Sequence, residues 1–313
     1  MIKKLFEVFP YLEVLTRQIY KFALGHGFLK KRVVPNEKAK KVQNIDIKAL
    51  DDFLDRMGVK EGDTLIVHSS MSGIKGFGIT AEELIERLEI RIGEEGMLFM
   101  PTYPDYESNG MALSFDEIDE KVYTYSVKDT KGWTGYITEV FRKKAGTKRS
   151  FYPNNTLSAR GKNVERVFEG ELDTDLAFDK KSAWNYCMKK HAKVLFLGIH
   201  AHHSISEIHI AEDLMDEEWP VKGWYTTRKY KIILDNGETV YKDCRVRKNY
   251  WTKYMVEYNG CARLRKSGNL IEEMIGNICV SCIPDICMLE QYVEENARKG
   301  DLIYFKIPRK YRK

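Results

Sequence analysis

Between Lys193 and Glu212 the sequence KVLFLGIHAHHSISEIHIAE passes from four apolar residues, Val194 to Leu197, through Gly198 into four histidines and two glutamates. A short apolar run stopped by a turn former predicts a strand buried on both faces, and ligand chemistry in open α/β sheets gathers where such strands end. Ser206 is a helix-capping residue type, so a helix carrying His209 and Glu212 is expected to follow it. Their spacing of three sets an imidazole beside a carboxylate on one helix face. The carboxylate fixes the imidazole tautomer, and the ring can then take a proton near neutral pH as a general base. On a solvated helix the same two residues would form no more than a local pair. His200, His202 and His203 lack the i, i+4 helical spacing of zinc proteases, and no paired CxxC accompanies them, so no metal is expected.

A second group with chemical potential is the hydroxyl cluster that ends the stretch Gly62–Ser70. Here an apolar strand empties into Ser69 and Ser70, followed by Ser72 and a loop containing Gly73, Gly76 and Gly78. Thr80 is placed to cap a helix over Ala81–Ile92. Small residues and free backbone N–H groups ahead of a helix suit phosphate, although the spacing matches neither a Walker A nor a GxGxxG pattern.

These groups need a scaffold, and the periodicity supplies one. Asp46–Met57 has helical apolar spacing with Gly58 as its stop, and Gly96–Tyr103 is a second strand ended by Pro101. Lys131–Lys148 predicts a helix entered through Thr134 and Gly135, and the turn formers of Arg149–Gly161 mark a functional loop or a tight corner. Glu218–Tyr258 is aromatic and β-branched with Asp235-Asn236-Gly237 at its middle, the signature of an antiparallel ribbon. A helix over Met288–Arg298 and a last strand over Leu302–Ile307 complete the reading. The expected fold is α/β, a mixed sheet flanked by helices with an inserted antiparallel β-ribbon. Residues 1–45 are read as a basic amphipathic extension and linker, and 46–313 as a single domain.

The chain has 313 residues, 43% of them apolar, and 51 basic against 46 acidic residues for a net charge of +5. That balance is too mild to call for nucleic acid but suits a phosphorylated small ligand. Six cysteines without a secretory signal predict reduced thiols and a cytoplasmic protein. Cys279 and Cys282 form a single CxxC, for which a buried structural role is expected. Residues 3–32 carry Leu5, Phe6, Val8, Phe9, Leu12, Leu15, Ile19, Phe22 and Leu24 between Lys3-Lys4 and Lys30-Lys31-Arg32. Such a segment packs on its own domain, pairs with a second copy, or lies on the inner face of an anionic membrane.

Taken in order, Val67-His68-Ser69-Ser70, Met100-Pro101-Thr102-Tyr103, Gly135 with Glu139–Arg142, Arg149-Ser150 with Pro153, Ala177-Phe178, and His209-Ile210-Ala211-Glu212 resemble the aminoglycoside 3-N-acetyltransferase family over about residues 46–220. The resemblance implies transfer of acetyl from acetyl-coenzyme A to a primary amine of an amino sugar. It assigns His209 as base with Glu212 as its acidic neighbour, and the coenzyme to His68, Ser69, Ser70, Ser72, Arg149, Ser150 and Ser206. The chain departs from the family pattern on the acceptor side: Tyr152 replaces a histidine, and Lys131-Gly132-Trp133-Thr134 replaces a Thr-Pro-Ser.

Chemistry agrees with that assignment without needing it. An ammonium is not a nucleophile, so a base must remove a proton as the amine attacks, and no covalent intermediate is required. A Cys187 nucleophile is the rival mechanism. Acceptor contacts are expected from carboxylates and aromatic rings, with Tyr103, Asp105, Tyr152, Asp213, Glu217 and Trp219 as candidates. The divergent acceptor side favours a nucleotide-linked amino sugar of surface polysaccharide. The alternatives are an aminoglycoside acetyltransferase, or a silent relative that binds a glycan or membrane.

Overall fold

The computed structural model describes residues 2–26, 43–106 and 121–313. Two helices come first, α1 (Ile2–Val8) and α2 (Pro10–Gly25), divided at Pro10, whose ring cannot sit inside a continuous helix. Next, α3 (Lys48–Arg56) buries Leu50, Phe53 and Leu54 and ends ahead of Gly58, which takes a left-handed φ of 64°. Strand β1 (Thr64–Ser69) is buried at every position and runs into the one-turn helix α4 (Met71–Ile74), capped by Ser70. Thr80 and Glu83 form a reciprocal capping box on α5 (Ala81–Ile92). After β2 (Met97–Pro101) and β3 (Val122–Ser126) come α6 (Tyr136–Lys143), β4 (Lys148–Arg149) and β5 (Leu157–Gly161). The chain continues through α7 (Ala183–Lys189), β6 (Lys193–Leu197), α8 (Ile210–Met215), β7 (Tyr225–Ile233) and β8 (Thr239–Arg247). It closes with α9 (Glu257–Ser267), β9 (Ile271–Ile275), β10 (Ile278–Ile283) and α10 (Ile286–Arg298).

Seven strands form one mixed sheet in the order β4-β5-β2-β1-β6-β10-β9. Its centre is parallel, β1 lying between β2 and β6 with Ser69 opposite Leu197. Side chains alternate between two cores. Leu65, Val67, Leu98, Met100, Leu195 and Leu197 face α3, α5 and α6, while Ile66, Phe99, Val194 and Phe196 face α7, α8, α10 and the ribbon. The carboxyl ends of β1 and β6 therefore open side by side, where the chain leaves the sheet toward both hydroxyls and histidines.

The ribbon turns at Asn236-Gly237, with Gly237 at φ 84°, and β7 and β8 pair antiparallel as expected. Unforeseen is β3, which pairs parallel to β7 and makes the ribbon three-stranded. Leu302–Ile307 is not a strand. Its buried apolar residues fill the core and touch the ladder pattern at a single bridge, Phe305 to Met255. The last strand of the main sheet is instead β10, which holds Cys279 and Cys282 as buried free thiols.

The N-terminal helices dock by their charged side. Glu13 is buried and accepts from the backbone of Glu257 and Tyr258, Arg17 pairs with Glu13 and Glu257, and Arg265 pairs with Glu7. Val8, Phe9, Tyr11, Leu15, Ile19 and Phe22 remain exposed. The expected basic end Lys30–Arg32 and most of the linker 33–44 lie outside the described residues. Among the described residues, no helix is long and apolar enough to cross a membrane.

Candidate active site

The loops leaving β1 and β6 touch backbone to backbone. A Cβ added to Gly73 would stand 1.8 Å from the carbonyl oxygen of Gly198, itself at φ 71°, so both positions require glycine. Ser70 N–H donates to the Leu197 carbonyl at 3.0 Å, and the Ser70 hydroxyl accepts from Gly73 N–H at 3.3 Å. Glu207 fastens the same junction from beneath. Fully buried, it meets His68 Nε2 at 2.8 Å and accepts from Ser206 N–H at 2.9 Å, while the His68 ring stacks on Phe196. Glu207 carried no motif of its own in the sequence, and its place two residues before His209 was the available signal.

Above this junction lies a cavity of about 720 Å³ lined by His68, Ser69, Ser70, Ser72, Tyr103, Ser206 and His209, among others. The Ser69 hydroxyl is buried and has no hydrogen-bond partner among the described residues. A buried hydroxyl without a partner on a residue that lines a cavity is a candidate ligand contact. Trp133, Asn155, His209 and Arg247 also line a second cavity of about 500 Å³, whose wall adds Glu212, Asp213, Arg228 and Arg245. His209 thus stands where the two chambers meet.

Ser206 does not cap the helix: its side chain makes no cap bond, Glu207–His209 forms a single 3-10 turn, and His209 itself occupies the N-cap of α8. The spacing of three still works, because His209 Nδ1 lies 2.7 Å from Glu212 Oε1. A carboxylate only accepts, so the contact holds the proton on Nδ1 and leaves Nε2 with its lone pair. Trp224 Nε1 donates to the other Glu212 oxygen at 3.1 Å. Burial first, and then the Arg247 guanidinium, hold the His209 pKa below the ordinary imidazole value, with Glu212 opposing them. The ring is accordingly neutral at pH 7, as a proton acceptor must be.

Several predicted contacts are not brought to either cavity. Arg149 is buried with its guanidinium donating to the carbonyls of Val127, Thr130 and Thr102, which makes it a brace across three backbone segments. Ser150 donates to Glu171, Tyr152 to the Asp175 carbonyl, and Trp219 is buried against Trp224. Asp105 and Glu217 also lie off both linings, whereas Tyr103 and Asp213 are on them. Cys187 is buried in α7, its thiol pushed well above the ordinary value by desolvation, and it lines neither cavity. Arg247 and Trp133 were missed. Arg247 sits on the ribbon, 38 residues from His209 in sequence, and nothing local announces it.

The sequence profile of the family described as aminoglycoside 3-N-acetyltransferase matches residues 66–277, more than half of the chain. The aminoglycoside N(3)-acetyltransferase III of Acinetobacter baumannii is 25% identical over 201 residues, 62% of this chain and 68% of that protein. The SPbeta prophage-derived aminoglycoside N(3')-acetyltransferase-like protein YokD of Bacillus subtilis is 26% identical over 160 residues, 48% of this chain and 58% of that one. Among solved structures, AAC-IIIb in its binary complex with CoASH superposes with a TM-score of 0.66 at 17% identity, covering 84% of this chain and 98% of that one. The aminoglycoside acetyltransferase AAC(3)-IVa apoenzyme gives 0.62 at 20% identity over 87% and 95%. At these identities the superpositions show a shared fold.

Proposed function

We propose, on the premise that this chain belongs to the aminoglycoside 3-N-acetyltransferase family, that it acetylates a primary amine of an amino sugar with His209 as general base. The observation that carries the reading is the His209–Glu212 pair, 2.7 Å apart and set where the hydroxyl-lined and charged cavities meet. Acetyl-coenzyme A would supply the activated acyl group. The residues that suit it are Ser69, whose buried hydroxyl lacks a partner among the described residues, Ser70 and Ser72, the backbone N–H groups that open α4, and Ser206. Those N–H groups also offer donors to the negative charge that develops on the thioester oxygen. Nε2 of His209 takes the proton of the attacking amine, and Glu212 holds the ring and stabilises its charged form. Asp213 and Tyr103 line the chambers on either side of the ring and are the acceptor contacts retained from the sequence.

The names of the relatives support aminoglycosides as the first acceptors to try, ahead of a nucleotide-linked precursor of surface polysaccharide, for which they offer nothing. A silent binding protein is disfavoured by a neutral, carboxylate-held imidazole at a cavity junction. The test is thiol release from acetyl-coenzyme A over a panel of amines. Wild type should turn over at least one amino sugar, and His209→Ala should lower kcat about a hundredfold or more while coenzyme affinity stays within about threefold. An unchanged rate in the variant would remove His209 as base.

The exposed row of α2 supports pairing with a second copy, since the helix already spends its charged side on the domain. Sedimentation equilibrium should report a dimer that Ile19→Glu dissolves. A monomer that co-sediments with anionic vesicles would replace that pairing with membrane contact.

A further inference from the structure

Trp133 stands apart from the chain's other tryptophans. Trp184, Trp219, Trp224 and Trp251 are buried, whereas Trp133 keeps 64% of its surface open to water. Its backbone is nonetheless fixed. Trp133 N–H donates to the Tyr103 carbonyl at 3.0 Å, Gly132 N–H to Glu139 Oε2 at 3.1 Å, and the Thr134 hydroxyl to the Pro101 carbonyl at 2.6 Å, so the segment is laced to the end of β2 and to α6. The indole meets Tyr103 edge-on with ring centroids 5.9 Å apart, which sets its tilt. A large apolar ring held in water forgoes the free energy of burial. Tyr136, 63% exposed, lines the same larger cavity three residues on. Two such rings at one cavity make an apolar patch, which a scattered surface side chain does not.

Position gives that patch a use. Trp133 lines both chambers, as His209 does, so a ligand resting on the indole lies within the space that the base serves. The pyranose and cyclitol rings of amino sugars carry hydroxyls and amines around the rim and present C–H groups on their faces. A flat aromatic ring is the surface that matches such a face. Protonated amines elsewhere on the same molecule are drawn to an indole face as well. Charge alone holds a polyamine in many poses, whereas a stacking plane admits few, and orientation is what the attack on a thioester needs.

We infer that Trp133 is the platform on which the ring of the acceptor stacks, and that the protein therefore selects closed six-membered amino sugars over open-chain amines. The ring lies on the indole, and its amine is carried to the side of the chambers where His209 stands. This inference rests on the transferase reading and narrows its acceptor. Trp133 touches no reacting atom and acts through binding and orientation.

The test uses the exposed tryptophan as its own reporter. The protein is titrated with kanamycin A, glucosamine and glucosaminitol, the open-chain alditol that keeps the amine of glucosamine. The two ring compounds should change the intrinsic emission at concentrations about tenfold or more below that required of glucosaminitol. In Trp133→Phe the emission change should vanish while kcat/KM for the ring acceptors stays within about threefold of wild type. Trp133→Ala should raise the ring-acceptor KM about fivefold to tenfold, with kcat within about threefold and coenzyme KM within about twofold. Its thermal midpoint should stay within about 2 °C, because the side chain is exposed. Rescue by phenylalanine marks an aromatic face at work, which a merely structural side chain would not show. Equal affinity for glucosamine and glucosaminitol, or an unchanged ring-acceptor KM in Trp133→Ala, would overturn the platform while leaving the transferase standing. Emission changes with the ring sugars but no thiol release with any amine would remove the transferase reading and leave Trp133 as a sugar-binding ring.

Discussion

The two walls that meet at His209 are built from opposite materials. The strand-end wall, from β1, β6 and the loops after them, is backbone and hydroxyl: its parts are fixed by hydrogen bonds such as Ser70 N–H to Leu197 and by two glycines in direct contact. The ribbon wall, from β7, β8 and α8, is ionic, with Arg245 gripped by Asp175 and Asp216 and Arg247 laid against His209 and Glu212. Backbone contacts admit few substitutes and little movement. Ion pairs at a partly exposed wall re-form with new partners at small cost, which is what a wall facing a variable acceptor requires. The difference separates a rigid half, suited to a fixed coenzyme, from an adaptable half that sets the acceptor.

The largest expected effect lies on the rigid side. Gly73→Ala drives a methyl into the Gly198 carbonyl, and neither backbone can yield without moving β1 or β6. Overpacking of this kind costs about 3 kcal/mol or more, so the thermal midpoint should fall by several degrees and the KM for acetyl-coenzyme A should rise, with the acceptor KM little changed. A variant with wild-type stability and coenzyme KM would mean that the two loops are not the rigid element assumed here. On the other wall, Glu212→Gln keeps a hydrogen-bond acceptor for Nδ1 but removes the charge that stabilises the imidazolium and opposes Arg247. It should lower kcat by about tenfold to a hundredfold with stability within about 1 kcal/mol, read by steady-state kinetics and thermal melts. A loss of stability as large as that of Gly73→Ala would erase the distinction between the walls.

The sequence exposed the rigid half better than the adaptable one, for a physical reason. Buried strands, capping residues and glycines act locally, so Val194–Leu197, Thr80 and Gly198 could be read where they stand. The His209–Glu212 contact was legible because three residues of chain place the groups together, although the helix begins at Ile210 rather than at a Ser206 cap. Arg149, assigned by the family motif, and Tyr152 spend their polar groups on backbone carbonyls. Their burial against backbone carbonyls depends on β3, β5 and the loop at Asp175, which no local pattern brings together. Arg247 was hidden for the complementary reason: it reaches the site through the register of β8 on β7, with Arg247 opposite Tyr225. The N-terminal helix inverted an ordinary expectation, since Glu13 and Arg17 pack inward while Leu15 and Ile19 face out.

The smallest effect sharpens the comparison within a single residue type. Ser70 and Ser206 both line the larger cavity, but the Ser70 hydroxyl accepts from Gly73 N–H as the cap of α4, whereas Ser206 makes no cap bond. Ser70→Ala should therefore cost about 1 kcal/mol of stability, the usual effect of losing an N-cap. Ser206→Ala should stay within about 0.5 kcal/mol, since the bond from its hydroxyl to the Ser204 carbonyl is long at 3.4 Å and the Glu207 contact is made by its backbone. Chemical denaturation of the two variants side by side measures this directly. Equal losses would show that hydroxyls at this cavity stabilise the protein by something other than capping, and the strand-end wall would then owe less of its rigidity to the turn at Ser70 than its hydrogen bonds indicate.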